Sequence, residues 1–261
     1  MKHGVILFLV DGMRPDAITS SNTPTMARIL ATGAYTLHAK TVMPSVTLPC
    51  HTSLFFSVPP ERHGIVTNTW TPMARPIPGL FDVLHQHGLR SASFYNWEPL
   101  RDLSSPGSLA FSLMASNLHE PEGRGDLELA DCAIRWLTAH PWDFAFIYLG
   151  QTDEVAHRAG WMSDRYFESL HYADRAMSQV MEALPDDVTY FITSDHGGHD
   201  RNHGTELESD MTIPLLIQGA KVRPGELSGV TASITDIAPT IAARLGVPKP
   251  PDWDGRNLLT G

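Results

Sequence analysis

Phe191-Ile192-Thr193-Ser194-Asp195-His196-Gly197-Gly198-His199, with Asn202-His203-Gly204 close behind, is the stretch from which the fold can be read. Asp187-Val188-Thr189-Tyr190 lead into it, so apolar and β-branched residues run straight into a polar, glycine-rich loop. The pattern predicts a buried strand that delivers Asp195 and His196 at its carboxyl end, where parallel sheets build their sites. Three His and two Asp between Asp195 and His203 are denser than a surface turn requires. Carboxylate beside imidazole suits a borderline metal such as zinc. The plainer alternative is a helix-capping Asp among solvated His.

Outward from that stretch the same grammar recurs. Val5–Val10 is a continuous apolar run ending in Asp11-Gly12, the form of a central parallel strand covered on both faces. Ala34–Val42, Arg90–Tyr95, Asp143–Leu149 and Met211–Gln218 also read as strands. Helical patterns alternate with them. One has Thr23 as N-cap, Pro24 at its first position, Met26, Ile29 and Leu30 inward, and Gly33 at its end. Others are Leu80–His87, Asp126–His140 (Leu129, Cys132, Ala133, Trp136 and Leu137 inward), Ser163–Leu184 and Thr235–Leu245. The alternation predicts an α/β fold: a doubly wound, mostly parallel central sheet with helices on both faces, one domain over residues 1–261. Residues 98–125, rich in Ser, Pro and Gly, read as a lid, a substrate loop or a variable surface connection.

Composition narrows the classes. Hydrophobic content of 42% and charged content of 18% describe an ordinary globular chain. A net charge of −10 argues against a nucleic-acid surface, though not against an anionic substrate: solvated acidic faces explain most of it, and metal ligands neutralised by bound cations would explain part. Cys50 and Cys132 are far apart and lack zinc-ligand spacing, which fits a reducing compartment. No apolar run is long enough for a membrane span, and the amino-terminal run is too short for a signal-peptide core. A cytoplasmic enzyme without a membrane or nucleic-acid partner is expected; the oligomeric state is not legible.

Three predicted strands end in acids, Asp11, Asp153 and Asp195. On one sheet edge these carboxylates would repel one another unless cations were bound. Asp153 and His157, four residues apart, share a helix face and can reach one ion, or simply each other. His203 and His199 compete for a third position, and spacing does not decide between them. Pro44 to Phe56 reads as a loop feeding a short helix, with Thr47 near its amino end, where free N–H groups favour an anion.

Asp11, then Thr47 in Pro-Ser-Val-Thr-Leu-Pro, Asp153 with His157, Ser-Asp-His-Gly, and His203-Gly204, in that order, resemble the alkaline phosphatase superfamily. The specific likeness is to its nucleotide pyrophosphatase/phosphodiesterase branch, and it extends to Asp236-Ile-Ala-Pro-Thr and Asp254-Gly-Arg-Asn-Leu. The resemblance implies two divalent metal ions, zinc by the mixed His/Asp set, with manganese an acceptable substitute. Asp153, His157 and His203 would hold one; Asp11, Asp195, His196 and the Thr47 hydroxyl would hold the other. His199, Asp200 and Glu206 become outer supports. Thr47 is the implied nucleophile, attacking phosphorus in an in-line displacement between metals about 4 Å apart. Asn68, in His63-Gly64-Ile65-Val66-Thr67-Asn68, is implied to donate to a non-bridging phosphoryl oxygen, a neutral partner suited to a diester.

The expected activity is therefore phosphodiester hydrolysis on a small-molecule phosphoester. Phosphomonoester or phosphonate hydrolysis at the same metals, and a non-catalytic metal-binding sensor, are the alternatives. Thr47-Leu48-Pro49-Cys50 lacks the modifiable Cys/Ser-x-Pro/Ala-x-Arg setting of sulfatases, and the large insertions of phosphomutases are missing. Tyr95, Trp97, Trp161 and Tyr166 are candidate pocket walls, otherwise core or rim, and Cys50 reads as a buried, inert thiol.

Overall fold

The computed structural model describes residues 4–19, 22–119, 124–227 and 231–259. Its described strands are, in chain order, β1 (Val5–Val10), β2 (Ala34–Lys40), β3 (Ser91–Tyr95), β4 (Phe111–Met114), β5 (Phe144–Leu149), β6 (Thr189–Thr193), β7 (Thr212–Gln218) and β8 (Gly225–Glu226). The α-helices are α1 (Pro24–Thr32), α2 (Thr47–Phe56), α3 (Pro60–His63), α4 (Leu80–Gln86), α5 (Gly125–Ala139), α6 (Gln151–Ala159), α7 (Asp164–Ala183), α8 (Glu208–Met211) and α9 (Ile237–Arg244).

The apolar run of β1 is wholly buried because it lies inside the sheet, paired in parallel with β5 on one side and β6 on the other. The strand order is β4-β3-β5-β1-β6-β7-β2-β8, with β7 antiparallel to both β6 and β2. Side chains of β1 alternate between two cores, as strand geometry dictates. Val5, Leu7 and Leu9 join Leu54 and Phe55 of α2, Phe81 of α4 and Ile241 of α9. Ile6, Phe8 and Val10 join Met26 of α1, Leu129 of α5, Ala156 of α6 and Met177 of α7. The expected doubly wound, mostly parallel sheet with helices on both faces is thus present.

Details differ from the sequence reading for physical reasons. Thr23 stands at the N-cap of α1 without capping it; the Asp174 carboxylate of α7 accepts from Thr25 N–H (3.0 Å) and Met26 N–H (2.9 Å) instead. On α5 the buried face runs through Leu129, Ala130, Ala133 and Leu137, leaving Cys132 and Trp136 half-buried; Trp136 stacks on Phe111 of the outermost strand. Met211 closes α8, so β7 begins one residue later. Residues 98–125 contain a 3-10 turn at Glu98–Leu103 and then β4, an edge strand whose half-exposed residues show none of the apolar continuity of a buried strand.

Candidate metal centre

The three strands expected to end in acids are neighbours in space, β5-β1-β6, although β5 ends at Leu149 and Asp153 lies in the first turn of α6 instead. Register matches Val10 with Leu149 and Leu9 with Thr193, so Asp11, the β5–α6 junction and Asp195 emerge side by side. This is the carboxyl-edge crevice where open α/β sheets bind ligands. Gly12 adopts φ +67°, and a Cβ there would lie 3.0 Å from Asp153 Oδ1, so glycine lets the chain turn against that carboxylate.

Around His196 Nε2 stand Asp11 Oδ1, Asp195 Oδ2 and Thr47 Oγ1, each 3.3 Å away. The next group centres on Asp153: His157 Nε2 is 3.3 Å from its Oδ2 and His203 Nε2 3.9 Å from its Oδ1. Among the described residues, donor atoms of Asp11, Asp195 and His196, and of Asp153, His196 and His203, fall within 4.8 Å of one another. His157 joins the second group through Asp153. The His196 and His203 rings stack at 3.8 Å, so the two groups abut.

The donor chemistry fits cations. Each imidazole commits Nδ1–H to a backbone carbonyl: His196 to Gly197 O (2.8 Å), His157 to Arg201 O (2.9 Å), His203 to Ser45 O (2.9 Å). With Nδ1 so committed, each Nε2 faces carboxylate oxygen, an arrangement that needs a positive charge between them, either a bound cation or, as at His157, a proton. Asp11 Oδ1, Asp195 Oδ2 and Asp153 Oδ1, all buried, have no hydrogen-bond partner. Their opposite oxygens are held where a partner exists: Tyr148 O–H donates to Asp11 Oδ2, and Gly12 N–H to Asp195 Oδ1 at 3.3 Å.

Without cations the charges frustrate one another. Burial, then the Asp195 and Asp153 carboxylates, hold the Asp11 carboxyl well above its ordinary range, and burial pushes Asp195 up to about 8. The Asp153 contact pushes His157 up to about 9, whereas burial takes His203 down to about 4. Burial opposes ionisation of Asp153, but His157 and the other imidazoles outweigh it and keep that carboxyl low.

Thr47 is the first residue of α2 and almost fully buried, its hydroxyl able to donate to His196 Nε2. Leu48 N–H, at the helix start where free N–H groups are expected, instead donates to Asn68 Oδ1 at 2.9 Å. That bond orients the exposed Asn68 with its amide nitrogen available as a donor beside Thr47.

His199, left open between ligand and support, donates Nδ1–H to Asp210 Oδ1 at 2.8 Å. Asp200 and Glu206 are exposed; Asp200 contributes its carbonyl, accepting from Trp161 N–H at 2.7 Å. The aromatics proposed as pocket walls are mostly otherwise engaged. Trp161 Nε1–H (2.9 Å) and the Tyr166 hydroxyl (3.0 Å) donate to Gly12 O, Tyr95 is buried, and Trp97 packs on the core. Trp161 backs the imidazoles, edge-on to His157 at 5.2 Å, and fits only because Gly198 has no side chain.

Sequence reading missed Tyr148, His51 and Asp210. Tyr148 looks like any strand aromatic. His51 donates Nδ1–H to Thr47 O at 2.8 Å and is kept neutral by burial, which lowers it to about 3. Asp210 sits in a short acidic stretch without a spacing signal; burial opposes its ionisation, but His199 and Thr205 hold its carboxyl below the usual range.

A model of the type I phosphodiesterase/nucleotide pyrophosphatase family matches residues 5–215, which include every residue of both groups. The chain belongs to that family. It sits, accordingly, in the nucleotide pyrophosphatase/phosphodiesterase branch of the alkaline phosphatase superfamily. Human ectonucleotide pyrophosphatase/phosphodiesterase family member 7 is 24% identical over 224 residues, covering 75% of this chain and 48% of the relative. A phosphopentomutase of Desulfitobacterium hafniense is 34% identical over 104 residues, 40% of this chain and 24% of its own. The chain thus spans about half or less of the curated relatives it matches. Among solved structures, inactive murine ectonucleotide pyrophosphatase/phosphodiesterase 5 in complex with AMP aligns with a TM-score of 0.79 at 16% identity, over 95% of this chain and 96% of that one. A 2-O GAG sulfatase aligns at 0.79 and 13%, over 99% and 73%, a likeness of fold alone. Among the described residues no helix is long and apolar enough to cross a membrane.

Proposed function

We propose that the chain is a two-metal phosphohydrolase that cleaves phosphodiester or pyrophosphate bonds of small-molecule substrates through a phosphothreonine on Thr47. The observation that carries this reading is the set of orphaned, metal-facing oxygens on Asp11, Asp153 and Asp195 opposite imidazoles whose other nitrogens are already committed. Asp153, His157 and His203 would hold one cation; Asp11, Asp195, His196 and Thr47 the other. Zinc suits the mixed nitrogen and oxygen donors. Two divalent cations, when bound, supply charge neutralisation at the attacking and departing oxygens of an in-line displacement.

The chain's own residues do the rest. Thr47 Oγ forms a bond to phosphorus while the ester oxygen leaves and takes up a proton. Water then attacks phosphorus, restoring the hydroxyl and releasing phosphate monoester. Asn68 donates from its amide nitrogen to a non-bridging oxygen, and Tyr148 keeps Asp11 turned toward the site. His51 steadies the carbonyl of the nucleophile. Cys50 and Cys132 are both free.

The test uses paired aryl phosphodiester, phosphomonoester and phosphonate substrates. The diester should be preferred, chelation should stop turnover, and zinc should restore it. Thr47→Ala should lower turnover roughly a thousandfold or more while still binding zinc. Preference for the monoester or phosphonate would sink the diesterase assignment, and indifference to chelator the metal mechanism.

A further inference from the structure

The loop from Gly197 to Thr205 lies along α8, and one residue, Asp210, holds it: its carbonyl the Gly197 end, its carboxylate His199 and the Thr205 end. Asp210 is fully buried. Its Oδ1 accepts from His199 Nδ1 (2.8 Å) and Ser209 Oγ (3.3 Å); its Oδ2 accepts from the Thr205 N–H (3.0 Å) and hydroxyl (2.8 Å). Its carbonyl accepts from Gly197 N–H at 2.9 Å. Gly197 immediately follows His196, and Thr205 lies just beyond His203, so this residue grips the chain after each of the two stacked imidazoles. His199 also opens the turn that bridges back to Asn202, and inside that turn the Arg201 carbonyl holds His157.

The two imidazoles are not equally dependent on this grip. His196 leaves directly from β6, and its carbonyl accepts from Ser194 Oγ at 2.7 Å. Among the described residues, His203 has a single hydrogen bond behind it, from Nδ1 to Ser45 O, with Trp161 edge-on to its ring, at the far end of the loop. His157 likewise depends on the turn for its carbonyl partner.

We propose that Asp210 is a positioning residue for the Asp153–His157–His203 set. It clamps the 197–205 loop so that His203 and His157 present Nε2 to Asp153. The proposal rests on the two-metal reading above, and its test separates the two.

Metal-free protein is titrated with zinc chloride by isothermal titration calorimetry, with circular dichroism to check folding. Wild type should take up two equivalents. Asp210→Asn should weaken one of them about 10–100-fold, the usual scale for an outer-shell partner, and leave the other unchanged. In a His203→Ala background, where this set is already broken, Asp210→Asn should alter the remaining equivalent by no more than about twofold. His199→Ala should share part of the loss, whereas His199→Gln, which can still donate to Asp210, should recover it. If Asp210→Asn does not fold, His199→Ala and Thr205→Val, both at partly exposed positions, carry the same comparison. Unchanged binding at both sites, equal weakening of both, or the same further loss in the His203→Ala background would overturn the proposal. A wild-type chain that takes up no zinc would overturn the two-metal reading itself.

Discussion

Replacing Asp126 with asparagine should abolish a buried carboxyl's contribution to the pH dependence of stability across neutral pH. Asp126 lies in the first turn of α5, wholly buried, where its N–H donates to Gln151 Oε1 at 3.0 Å. Its Oδ1 accepts from Asn96 Nδ2 at 3.0 Å, and its Oδ2 has no partner. Burial pushes the carboxyl from 3.8 up to about 7, against the smaller pull of the Asn96 bond. Because the folded value is raised, the folded chain holds a proton that the unfolded chain has already lost. The resulting stabilisation is complete below the unfolded value and disappears as pH rises through about 7. At about 1.4 kcal/mol per unit, the loss between pH 5 and pH 8 is about 3 kcal/mol. Asparagine has the same shape, keeps an acceptor for Asn96 and does not titrate. The unfolding free energy of Asp126→Asn relative to wild type should therefore rise by about 3 kcal/mol from pH 5 to pH 8. Urea unfolding followed by circular dichroism in chelator, with both proteins at each pH, cancels the other titrating groups. A difference that stays flat with pH, or falls toward pH 8, would refute the reasoning.

Other perturbations probe the site directly. Tyr148→Phe removes the hydroxyl that holds Asp11 Oδ2 and should weaken zinc binding about 10–100-fold, read by competition with a chromophoric chelator. Asn68→Ala should lower kcat on an aryl diester about 10²-fold with little change in zinc affinity, since it deletes the donor to the phosphoryl group and the acceptor for Leu48 N–H but no cation ligand. Gly197→Ala would place a Cβ 2.0 Å from the Ser209 carbonyl oxygen, so the loop must shift from α8; thermal unfolding should report a loss of about 1–3 kcal/mol.

The sheet was legible where strands are buried on both faces. The runs before Asp11 and Asp195 have no polar face to disguise them, and their acids mark the carboxyl edge. β4 was not legible, because an edge strand with exposed Ser112 and Met114 lacks both a continuous apolar run and a clean alternation. The candidate ligands stood out because metal chemistry concentrates His and Asp in short motifs. Their supports did not. Tyr148 reaches Asp11 only through the β1–β5 register, and Asp210 reaches His199 only because α8 folds back along the glycine loop. Such contacts depend on tertiary geometry and leave no local pattern. Trp161 and Tyr166 show the converse: aromatics near the motifs that suggested a pocket are used to fix the Gly12 carbonyl.

The alternation of β1 between two cores makes the central strand a partition between the two halves of the chemistry. Leu9 shares a core with the helix that begins at Thr47, while Val10 shares the other with the helix that carries Asp153 and His157. The helix that begins at Thr47 and the helix that carries Asp153 and His157 are thus mounted on opposite faces of one strand and meet over its end. A packing change in one of the two cores therefore reaches the other set of side chains through β1 or across the crevice above its carboxyl end, where Thr47 and His196 meet.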